Sequence, residues 1–425
     1  MVGVSTETQE ESPVEYPVLE APADGVPGVV DTPEALAEAR RALRSGTGPI
    51  AIDTERAQGY RYSAKAYLIQ LRRTGSGTHL IDPVAFEGDG PRADFSEFAA
   101  ELADSDWILH AASQDLPCLA EVQFLPRTLF DSELAARLLN LPHVNLSGLM
   151  ETALGVSLLK EHSAADWSRR PIPEDWLNYA ALDVERLVEL REWLIEQLTE
   201  ADKLEWATQE FAHLAAHAAD PPHARTDPWR RTTGLHTLRS PRALGTVREL
   251  WLAREKLAQD LDRAPGRVVP DRAITELVAR LDADPSIRLG RAQLRQVRAF
   301  NNRLASRYES TWLAALNRAA ELPASELPPR HLSPEGPPQP RSWERRWPRS
   351  FERFYRIRPE LAALAESVNV PLENLLSPDH LRRLLWDSAD TQNEAQIDAR
   401  LAELGARPWQ RGLVVPVIAQ YWSAE

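Results

Sequence analysis

Between residue 29 and about residue 200, short apolar runs alternate with amphipathic stretches, a pattern typical of strands that alternate with helices. Residues 31–46 predict a helix, with Thr32 as its N-cap, Pro33 at its first position and Gly46 at its end. Four apolar runs predict strands: PIAIDTE, AYLIQLR, THLIDP and DWILHAA. Residues 29–215 are therefore expected to form an α/β domain that opens with a hairpin-like meander.

Beyond this domain the sequence becomes rich in proline and then helical. The helical segments show apolar residues at helix spacing, whereas the proline-rich ones are typical of stiff, unpacked spacers. The predicted segments are a linker (216–235), a helical domain (236–320), a proline-rich linker (321–342) and a second helical domain (343–425).

The two helical domains echo each other at one place. Pro270-Asp271 and Pro378-Asp379 each follow an apolar pair and precede a helix with one apolar face. Any helix can begin with proline and an acid. We nevertheless favour the interpretation that the two segments are copies of one helical module.

Residues 1–28 are acidic and rich in proline and small polar residues, which predicts a disordered tail without an export signal. No apolar run reaches the length of a membrane span; GLVVPVIAQYW near the end is short and broken by Pro416. The single cysteine, Cys118, excludes an intramolecular disulfide and a thiolate zinc cluster. We expect a cytoplasmic monomer with neither a membrane nor a disulfide partner.

The charge of the chain is unevenly distributed. The net charge is −14, which by itself argues against a nucleic-acid partner. Residues 225–309, however, contain 17 arginines and one lysine against ten acidic residues, a net charge of +8, whereas residues 1–224 carry −21. This asymmetry indicates a basic surface on the first helical domain.

Two acids interrupt the first predicted strand. Side chains alternate along a strand, so Asp53 and Glu55 point to the same side of it. Buried carboxylates need partners, and two on one face can bind a common divalent cation. Asp115 follows a later strand, and Tyr179 and Asp183 are four residues apart on one helix face.

Each of these features alone has an ordinary explanation. An Asp-x-Glu pair at a strand end is common by chance, and Asp115 could simply favour a helix N-terminus. A tyrosine and an acid at helical spacing also occur often. Only the three features together, in this order, indicate a functional site.

As a set, the motifs AIDTE, YLIQL, LIDP, HAASQDL, FDSELAARLL and LDVERLVEL resemble those of the DEDD exonuclease superfamily in its tyrosine form, and in particular the ribonuclease D family. The resemblance covers roughly residues 30–215. The basic helical segment that follows resembles an HRDC domain, and the last segment resembles a second, divergent copy. The resemblance implies an α/β ribonuclease H-like exonuclease domain, with a mixed sheet flanked by helices, followed by two all-α HRDC-like bundles.

The resemblance also implies a function. A metal-dependent 3′→5′ exoribonuclease would trim structured RNA that has a free 3′ end and release 5′-mononucleotides, using two Mg²⁺ or Mn²⁺ ions. The metal ligands would be Asp53, Glu55, Asp115 and Asp183, and Tyr179 would position the attacking water or help to deprotonate it. An ordinary tyrosine pKa near 10 favours orientation over strong base catalysis.

Two alternatives stay open. The four acids do not distinguish RNA from DNA, so a DNA-directed 3′→5′ exonuclease is the second interpretation. The absence of a P-loop motif or a polymerase segment from the sequence favours a free-standing RNA nuclease. The third interpretation is a non-catalytic nucleic-acid scaffold, which the presence of all five motif residues disfavours.

Further residues could contact the substrate. Lys160, Trp167 and Arg170 precede the third motif and could contact phosphate or base, and Tyr62 and Tyr67 could stack on a terminal base or belong to the core. His110 suits packing as well as substrate contact, Asp131 is expected to cap a helix, and Cys118 to be buried. In the basic segment, Arg288, Arg291, Arg295 and Arg298 are three or four residues apart, so several would share a helix face that binds phosphates or merely faces solvent.

Overall fold

The computed structural model describes residues 16–422 except 89, 91, 160–161, 163, 222–224, 285, 332–335 and 387–391. The strands within these residues are β1 (Val18–Leu19), β2 (Val29–Val30), β3 (Thr47–Arg56), β4 (Ala66–Thr74), β5 (Gly77–Ile81), β6 (Trp107–Leu109), β7 (Leu129–Asp131) and β8 (Ser157–Leu158). One mixed sheet has the order β2-β5-β4-β3-β6-β7, and β1 pairs with β8. The predicted mixed sheet is thus confirmed.

Strand β3 is central in this sheet. It runs antiparallel to β4 and parallel to β6, and β4 runs antiparallel to β5, so β3, β4 and β5 form the predicted meander. In the β3–β4 register, Asp53 lies opposite Gln70 and Glu55 lies opposite Leu68. Directly opposed residues share a face of an antiparallel pair, so one face of the sheet carries both acids.

Helices cover the sheet on both faces. Those of the exonuclease domain are α1 (Pro33–Ser45), α2 (Ser96–Glu101), α3 (Leu116–Glu121), α4 (Ser132–Leu138), α5 (Leu146–Leu154), α6 (Glu174–Glu185), α7 (Leu187–Glu200) and α8 (Leu204–Ala216). At α1 the Thr32 hydroxyl accepts a hydrogen bond from the amide of Ala35, as expected of an N-cap. Helix α6 packs across β3, β4 and β5. Residues of α6 therefore face the acids of β3.

The structure corrects part of the prediction that residues 1–28 are disordered. Residues 1–15 lie outside the described residues, but 16–28 pack on the exonuclease domain. Strand β1 pairs in parallel with β8, and the amide of Ala23 donates to the carboxylate of Glu185. Disorder was therefore a wrong prediction for 16–28, because a two-residue strand paired 139 residues away in sequence leaves no local signal.

The first helical domain has a hydrophobic core of its own. Its helices are α9 (Pro241–Asp260), α10 (Pro265–Val268), α11 (Asp271–Ala283), α12 (Arg291–Gln296), α13 (Arg303–Arg307) and α14 (Glu309–Glu321). The core reaches into the predicted linker 216–235, because the indole of Trp229 is buried in it. The domain therefore begins before residue 236, on the 3₁₀ helix Pro228–Arg231.

The second helical domain repeats the order of the first. Its helices are α15 (Trp343–Arg346), α16 (Pro348–Ser367), α17 (Leu372–Leu375), α18 (Pro378–Leu385), α19 (Glu394–Glu403) and α20 (Pro408–Gln420). Helices α16, α17 and α18 each begin 107 residues after α9, α10 and α11. In this register the two Pro-Asp pairs are displaced by one residue, since Pro270 is an N-cap whereas Pro378 is the first helical residue.

The second helical domain shares its core with the exonuclease domain. Trp409 stacks on Trp206 of α8, with ring centroids 4.8 Å apart. The Trp409 indole N–H donates to the buried carboxylate of Glu210 at 2.9 Å, and Arg407 pairs with the same carboxylate. The exonuclease domain and the second helical domain are thus one packed unit. The first helical domain lies between them in the sequence but has a separate hydrophobic core.

The first helical domain contacts the loop that follows β3. Asp262 accepts hydrogen bonds from the amide of Ser63 at 2.9 Å and from the hydroxyl of Tyr67 at 3.4 Å. The Arg267 guanidinium donates to the carbonyl of Gly59 and lies 3.9 Å from the centre of the Tyr60 ring. The C-terminal end of α9 is therefore fixed to the loop 57–65, directly after the two acids of β3.

Residues 321–331 of the predicted proline-rich linker pack on the first helical domain, which corrects the prediction of an unpacked spacer for this part. Pro328 is buried, and a Cβ at Gly245 of α9 would lie 3.5 Å from its ring. The Arg248 side chain donates to the carbonyl of Glu326. The lack of amide hydrogens in proline suits a segment that runs over a helix without a sheet partner.

The apolar run near the C-terminus is helical as far as Gln420. Pro416 lies inside α20, so the predicted break does not occur, although a proline in a helix removes one backbone hydrogen bond. Across the part of the chain that the structure describes, no helix combines the length and the apolar character that crossing a bilayer requires.

Candidate active site

Three acidic side chains meet between β3 and α6. Carboxylate oxygens of Asp53, Glu55 and Asp183 all lie within 4.8 Å of one another. Strand alternation places the first two on one face, and the packing of α6 across that face adds the third. The three acids are thus close together in space, as predicted, although β3 and α6 are about 130 residues apart in sequence.

Asp115 approaches the same site from the other side of β3. It lies at the N-terminus of α3, after a turn in which Ala111 adopts a left-handed φ of 61°. The carboxylate of Asp131 accepts hydrogen bonds from the amides of Ala111 and Ala112 and also caps α4, as the sequence predicts. The Thr54 hydroxyl donates to Asp115 at 2.6 Å. Buried hydrogen bonds thus fix the fourth acid.

The four carboxyl groups disfavour one another's charge. Burial, followed by the charges of Asp115 and Asp183, raises the pKa of Asp53 well above its usual range. Burial likewise raises the pKa of Glu55, to which the charge of Asp53 adds. The pKa of Asp115 rises to about 6 and that of Asp183 to about 7, in both cases mainly through burial. Such a cluster holds full negative charge only beside cations.

The cluster fits hard divalent ions. It offers oxygen ligands alone, which is the donor set that Mg²⁺ and Mn²⁺ prefer. Cys118 does not add a thiolate, because burial raises the pKa of its thiol to about 12. The repulsion among the carboxylates is the second sign of a cation site, since a bound cation would remove it.

Tyr179 lies one helical turn before Asp183 on α6, and the two side chains are hydrogen-bonded to each other. Burial and the charges of Asp183 and Glu55 raise the pKa of its phenol far above the ordinary value. This environment favours the protonated phenol, which can act as a hydrogen-bond donor.

Three side chains at the site were not singled out from the sequence. Thr54 lies between the two acids of β3 and contacts both Asp115 and Cys118. The positive charge of Arg56 lowers the pKa of Asp53, Glu55 and Asp115. Gln70, opposite Asp53, is fully buried, and within the described residues its amide has no hydrogen-bond partner. In the sequence, only their closeness to the Asp-x-Glu motif could have indicated Thr54 and Arg56.

Arg170 has a structural role. All five of its N–H donors have acceptors in the protein: both oxygens of the buried carboxylate of Asp82 and the carbonyls of Tyr67, Trp167 and Arg169. No donor is left for a phosphate. The structure therefore argues against the predicted nucleic-acid contact. Lys160, the other candidate in this stretch, lies outside the described residues.

The remaining aromatic candidates are mostly internal. Trp167 is fully buried in a small core between α6 and the sheet, and Tyr67 is 4% exposed and donates to Asp262. Tyr62 is 39% exposed but is hydrogen-bonded to Glu255 of α9. His110 is hydrogen-bonded to Ser132, and burial lowers the pKa of its imidazole to about 4. Packing therefore accounts for Trp167, Tyr67 and His110.

The predicted basic stripe is divided. Arg291 and Arg295 lie on α12 and share the carboxylate of Glu309, at 3.1 and 3.5 Å. Arg298 follows an extended residue, Val297, and belongs to the next 3₁₀ helix, Arg298–Asn301. All three side chains are exposed, but they do not form one continuous helix face. The arginine spacing predicts a longer helix, whereas α12 is only six residues long.

Comparison with protein families matches the three parts of the chain separately. Residues 27–199 match the model of a 3′-5′ exonuclease domain, and residues 243–316 match an HRDC domain. Residues 336–421 match a family described as a 3′ to 5′ exonuclease C-terminal domain. The second helical domain is thus distinguished from the first in sequence, although its first helices follow the same order.

Two relatives match most of the chain. Ribonuclease D of Granulibacter bethesdensis is 30% identical over 347 residues, which are 80% of this chain and 81% of the relative. Ribonuclease D of Pseudomonas paraeruginosa is 30% identical over 297 residues, 68% of this chain and 74% of the relative.

Two solved structures resemble the fold over almost its whole length. The crystal structure of a protein from Bifidobacterium adolescentis has a TM-score of 0.86 and 36% identity, and covers 96% of this chain and 100% of its own. Escherichia coli RNase D, described as an exoribonuclease involved in structured RNA processing, has a TM-score of 0.63 and 25% identity over 93% and 98% of the two chains. The chain therefore belongs to the ribonuclease D family of 3′→5′ exoribonucleases.

Proposed function

We propose that the protein trims the 3′ ends of structured RNA, releasing 5′-mononucleotides by hydrolysis at a site that holds two divalent ions. The observation that carries this proposal is the convergence of Asp53, Glu55 and Asp183, with Asp115 beside them. Four carboxylates whose pKa values are raised by burial and mutual repulsion are costly to keep without cations.

Asp53, Glu55, Asp115 and Asp183 would hold the ions, which we take to be Mg²⁺ or Mn²⁺. When bound, a pair of such ions supplies Lewis-acid stabilisation of the attacking and leaving oxygens of an in-line displacement at phosphorus. The protein itself contributes fixed geometry, because β3 and α6 are rigid elements and the hydrogen bond from Thr54 restrains Asp115.

The phenol of Tyr179 would orient the attacking water. Its pKa is raised, it lies next to Asp183, and its ring and that of Trp176, both on α6, pack against Trp167. Such a donor restricts the directions that a water molecule can adopt beside the carboxylates. Arg56, the cation next to Glu55, would face the substrate phosphate at the same edge of the site.

The substrate class we infer is structured RNA. The basic first helical domain would hold this RNA against the electrostatic repulsion of the acidic exonuclease domain. The loop 57–65 joins the active-site strand to the contact with Asp262, so the basic domain stands beside the site in a fixed position. Arg291, Arg295 and Arg298 are exposed, and all three would contact phosphates of the RNA backbone. For Arg291 and Arg295, the phosphates would replace the carboxylate of Glu309. We further propose that the protein acts as a monomer in the cytoplasm.

One assay tests the proposal. A 5′-labelled hairpin RNA with a single-stranded 3′ tail is incubated with the purified protein and Mg²⁺, with EDTA, and with the 3′ hydroxyl blocked. A ladder that shortens from the 3′ end in Mg²⁺ alone is expected, with 5′-mononucleotides as products. A DNA copy of the same hairpin is the comparison substrate, and faster trimming of the DNA would overturn the choice of RNA.

A further inference from the structure

A cationic cleft lies on the first helical domain at the end of α9 opposite to the exonuclease domain. It has a volume of about 670 Å³ and is lined by two chain segments, 230–236 and 330–331, with Leu238 and Leu244 beneath them. From Leu244 to Asp260, at the end of α9, is 16 residues of helix, roughly 24 Å. The cleft is therefore distant from the contact that Asp262 makes with the loop 57–65.

The lining of this cleft is basic. It contains Arg230, Arg231 and Arg330 together with His236 and His331, and none of its described lining residues is acidic. Arg230 is paired with Asp227, but within the described part of the chain neither Arg231 nor Arg330 has a carboxylate within 4 Å. By contrast, Arg291 and Arg295 share the carboxylate of Glu309. The cleft thus brings two arginines without a carboxylate partner into one concave site, next to Arg230 and the two histidines.

The two segments are held in place from below. The Arg230 guanidinium donates to the carbonyl of Pro329 at 2.9 Å, which fixes the residue before Arg330 against the residue before Arg231. Gly234 turns with a φ of +89° and approaches α11 so closely that a Cβ would lie 2.9 Å from the hydroxyl of Thr275. The amide of Thr233 donates to Asp271. The backbone positions that carry Arg231 and Arg330 are therefore held at a fixed separation, so only the two side chains have to be ordered on binding.

We propose that this cleft binds phosphate groups of the RNA backbone on the 5′ side of the nucleotides in the active site. Guanidinium groups bind phosphate oxygens with paired N–H donors, and such contacts are independent of base identity. This inference rests on the proposed RNA substrate and adds a second point of attachment to it. Because the cleft stands at the far end of α9, only an RNA that extends well beyond the active site can occupy both.

The test compares two double variants with the same change in charge. Arg231→Gln with Arg330→Gln alters the cleft, and Arg291→Gln with Arg295→Gln is the matched control on α12. Binding of a 5′-fluorescein hairpin RNA with a 3′ tail is measured in EDTA at several salt concentrations. The cleft variant is expected to bind at least tenfold more weakly at low salt, with a log–log salt slope reduced by about two. The control is expected to lose distinctly less, because one carboxylate already neutralises part of its charge.

A second readout separates this inference from the proposed function. In Mg²⁺, hydrolysis of a short single-stranded RNA that fits within the active site is expected to be the same for wild type and cleft variant, which also reports that the variant is folded. If wild type fails to trim either RNA, the proposed function is wrong. If wild type trims both RNAs and the cleft variant keeps the wild-type affinity and salt slope, the cleft is not the phosphate site.

Discussion

The hydroxyl of Thr54 donates a hydrogen bond of 2.6 Å to the carboxylate of Asp115, and both side chains are buried. Thr54 stands between Asp53 and Glu55 on β3, but its side chain points to the opposite face of the strand. The central strand thus presents two acids on one face and restrains a third acid from the other. A short Asp-Thr-Glu sequence therefore organises most of the acidic site.

Replacing Thr54 by valine is expected to weaken divalent-ion binding. The hydrogen bond favours the charged form of Asp115, so its loss raises the pKa of that carboxyl further and loosens its orientation. Loss of such an orienting bond reduces metal affinity by about 10- to 100-fold. Calorimetric titration with Mn²⁺ measures the change, and Thr54→Ser, which keeps the hydroxyl, should retain near wild-type affinity. Equal affinity of the valine variant would show that Asp115 is held by other contacts.

Removing one charge from the cluster is expected to abolish activity and, at the same time, to stabilise the metal-free protein. Asp53→Asn should abolish metal-dependent trimming and, in EDTA, raise the midpoint of thermal unfolding, because it relieves repulsion with Asp115 and Asp183. Circular dichroism melts in EDTA and single-turnover trimming in Mg²⁺ provide the two measurements. A variant that trims at the wild-type rate would contradict the assignment of Asp53 as a metal ligand.

The metal-free protein is expected to lose stability as the pH rises from about 4 to about 7. Asp115 and Asp183 have pKa values of about 6 and about 7 in the folded state against 3.8 ordinarily, so the folded state binds more protons in this window. The free energy of unfolding then falls with rising pH. Urea unfolding in EDTA at about pH 5 and about pH 8 measures the effect.

The control for this pH dependence is the same pair of measurements with Mg²⁺. Cations favour the ionised carboxylates, so the loss of stability at the higher pH should be largely reversed. Asp183→Asn should flatten the profile in EDTA, since it removes one of the shifted groups. A wild-type profile that is identical with and without Mg²⁺ would mean that the cluster does not bind the ion.

Tyr179→Phe is expected to leave Mn²⁺ affinity nearly unchanged while slowing the chemical step by about 100-fold, because the phenyl ring keeps the packing on Trp167 and loses only the donor. Single-turnover trimming isolates this step from product release. Burial and the neighbouring carboxylates raise the pKa of the phenol, so the wild-type rate is expected to show no ionisation of Tyr179 between about pH 6 and about pH 9. Equal single-turnover rates would exclude a role in orienting water.

The first helical domain has a hydrophobic core separate from the one shared by the exonuclease and second helical domains, so we expect two unfolding transitions. Trp409→Ala should destabilise the unit formed by the exonuclease and second helical domains by about 3–5 kcal/mol, since it removes a buried ring and leaves Glu210 short of a donor. Scanning calorimetry should show one transition lowered and the other, that of the first helical domain, unchanged. Trp409→Phe keeps much of the stacking and serves as the milder control. A single transition lowered as a whole would show that the cores unfold together.

The parts of the fold that sequence could predict are those with strong local patterns. Alternating apolar runs and turn residues indicated β3, β4 and β5, and the Thr32 cap marked the start of α1. The grouping of Asp53, Glu55, Asp115 and Asp183 followed from resemblance, because no local pattern reports the distance between a strand and a helix 130 residues later.

What could not be predicted depends on distant partners. Arg170 was interpreted as a phosphate contact because its partner, Asp82, lies 88 residues earlier in the chain. The arginines of α12 were assigned one helix face because the extended residue Val297, which ends the helix, has no proline or glycine beside it. A surplus of arginine predicted a basic domain, but which arginines lack acidic partners became visible only in the folded chain.

The core that the exonuclease domain shares with the second helical domain also sets the order in which a functional molecule can be made. Helix α8 cannot complete its packing until Trp409, about 200 residues later, has left the ribosome. A nascent chain therefore carries the four clustered acids and Tyr179 long before the hydrophobic surface of α8 is covered. Premature termination after the first helical domain would leave Trp206 without its stacking partner, so such a product should be recognised as incompletely folded and should not accumulate as a truncated nuclease.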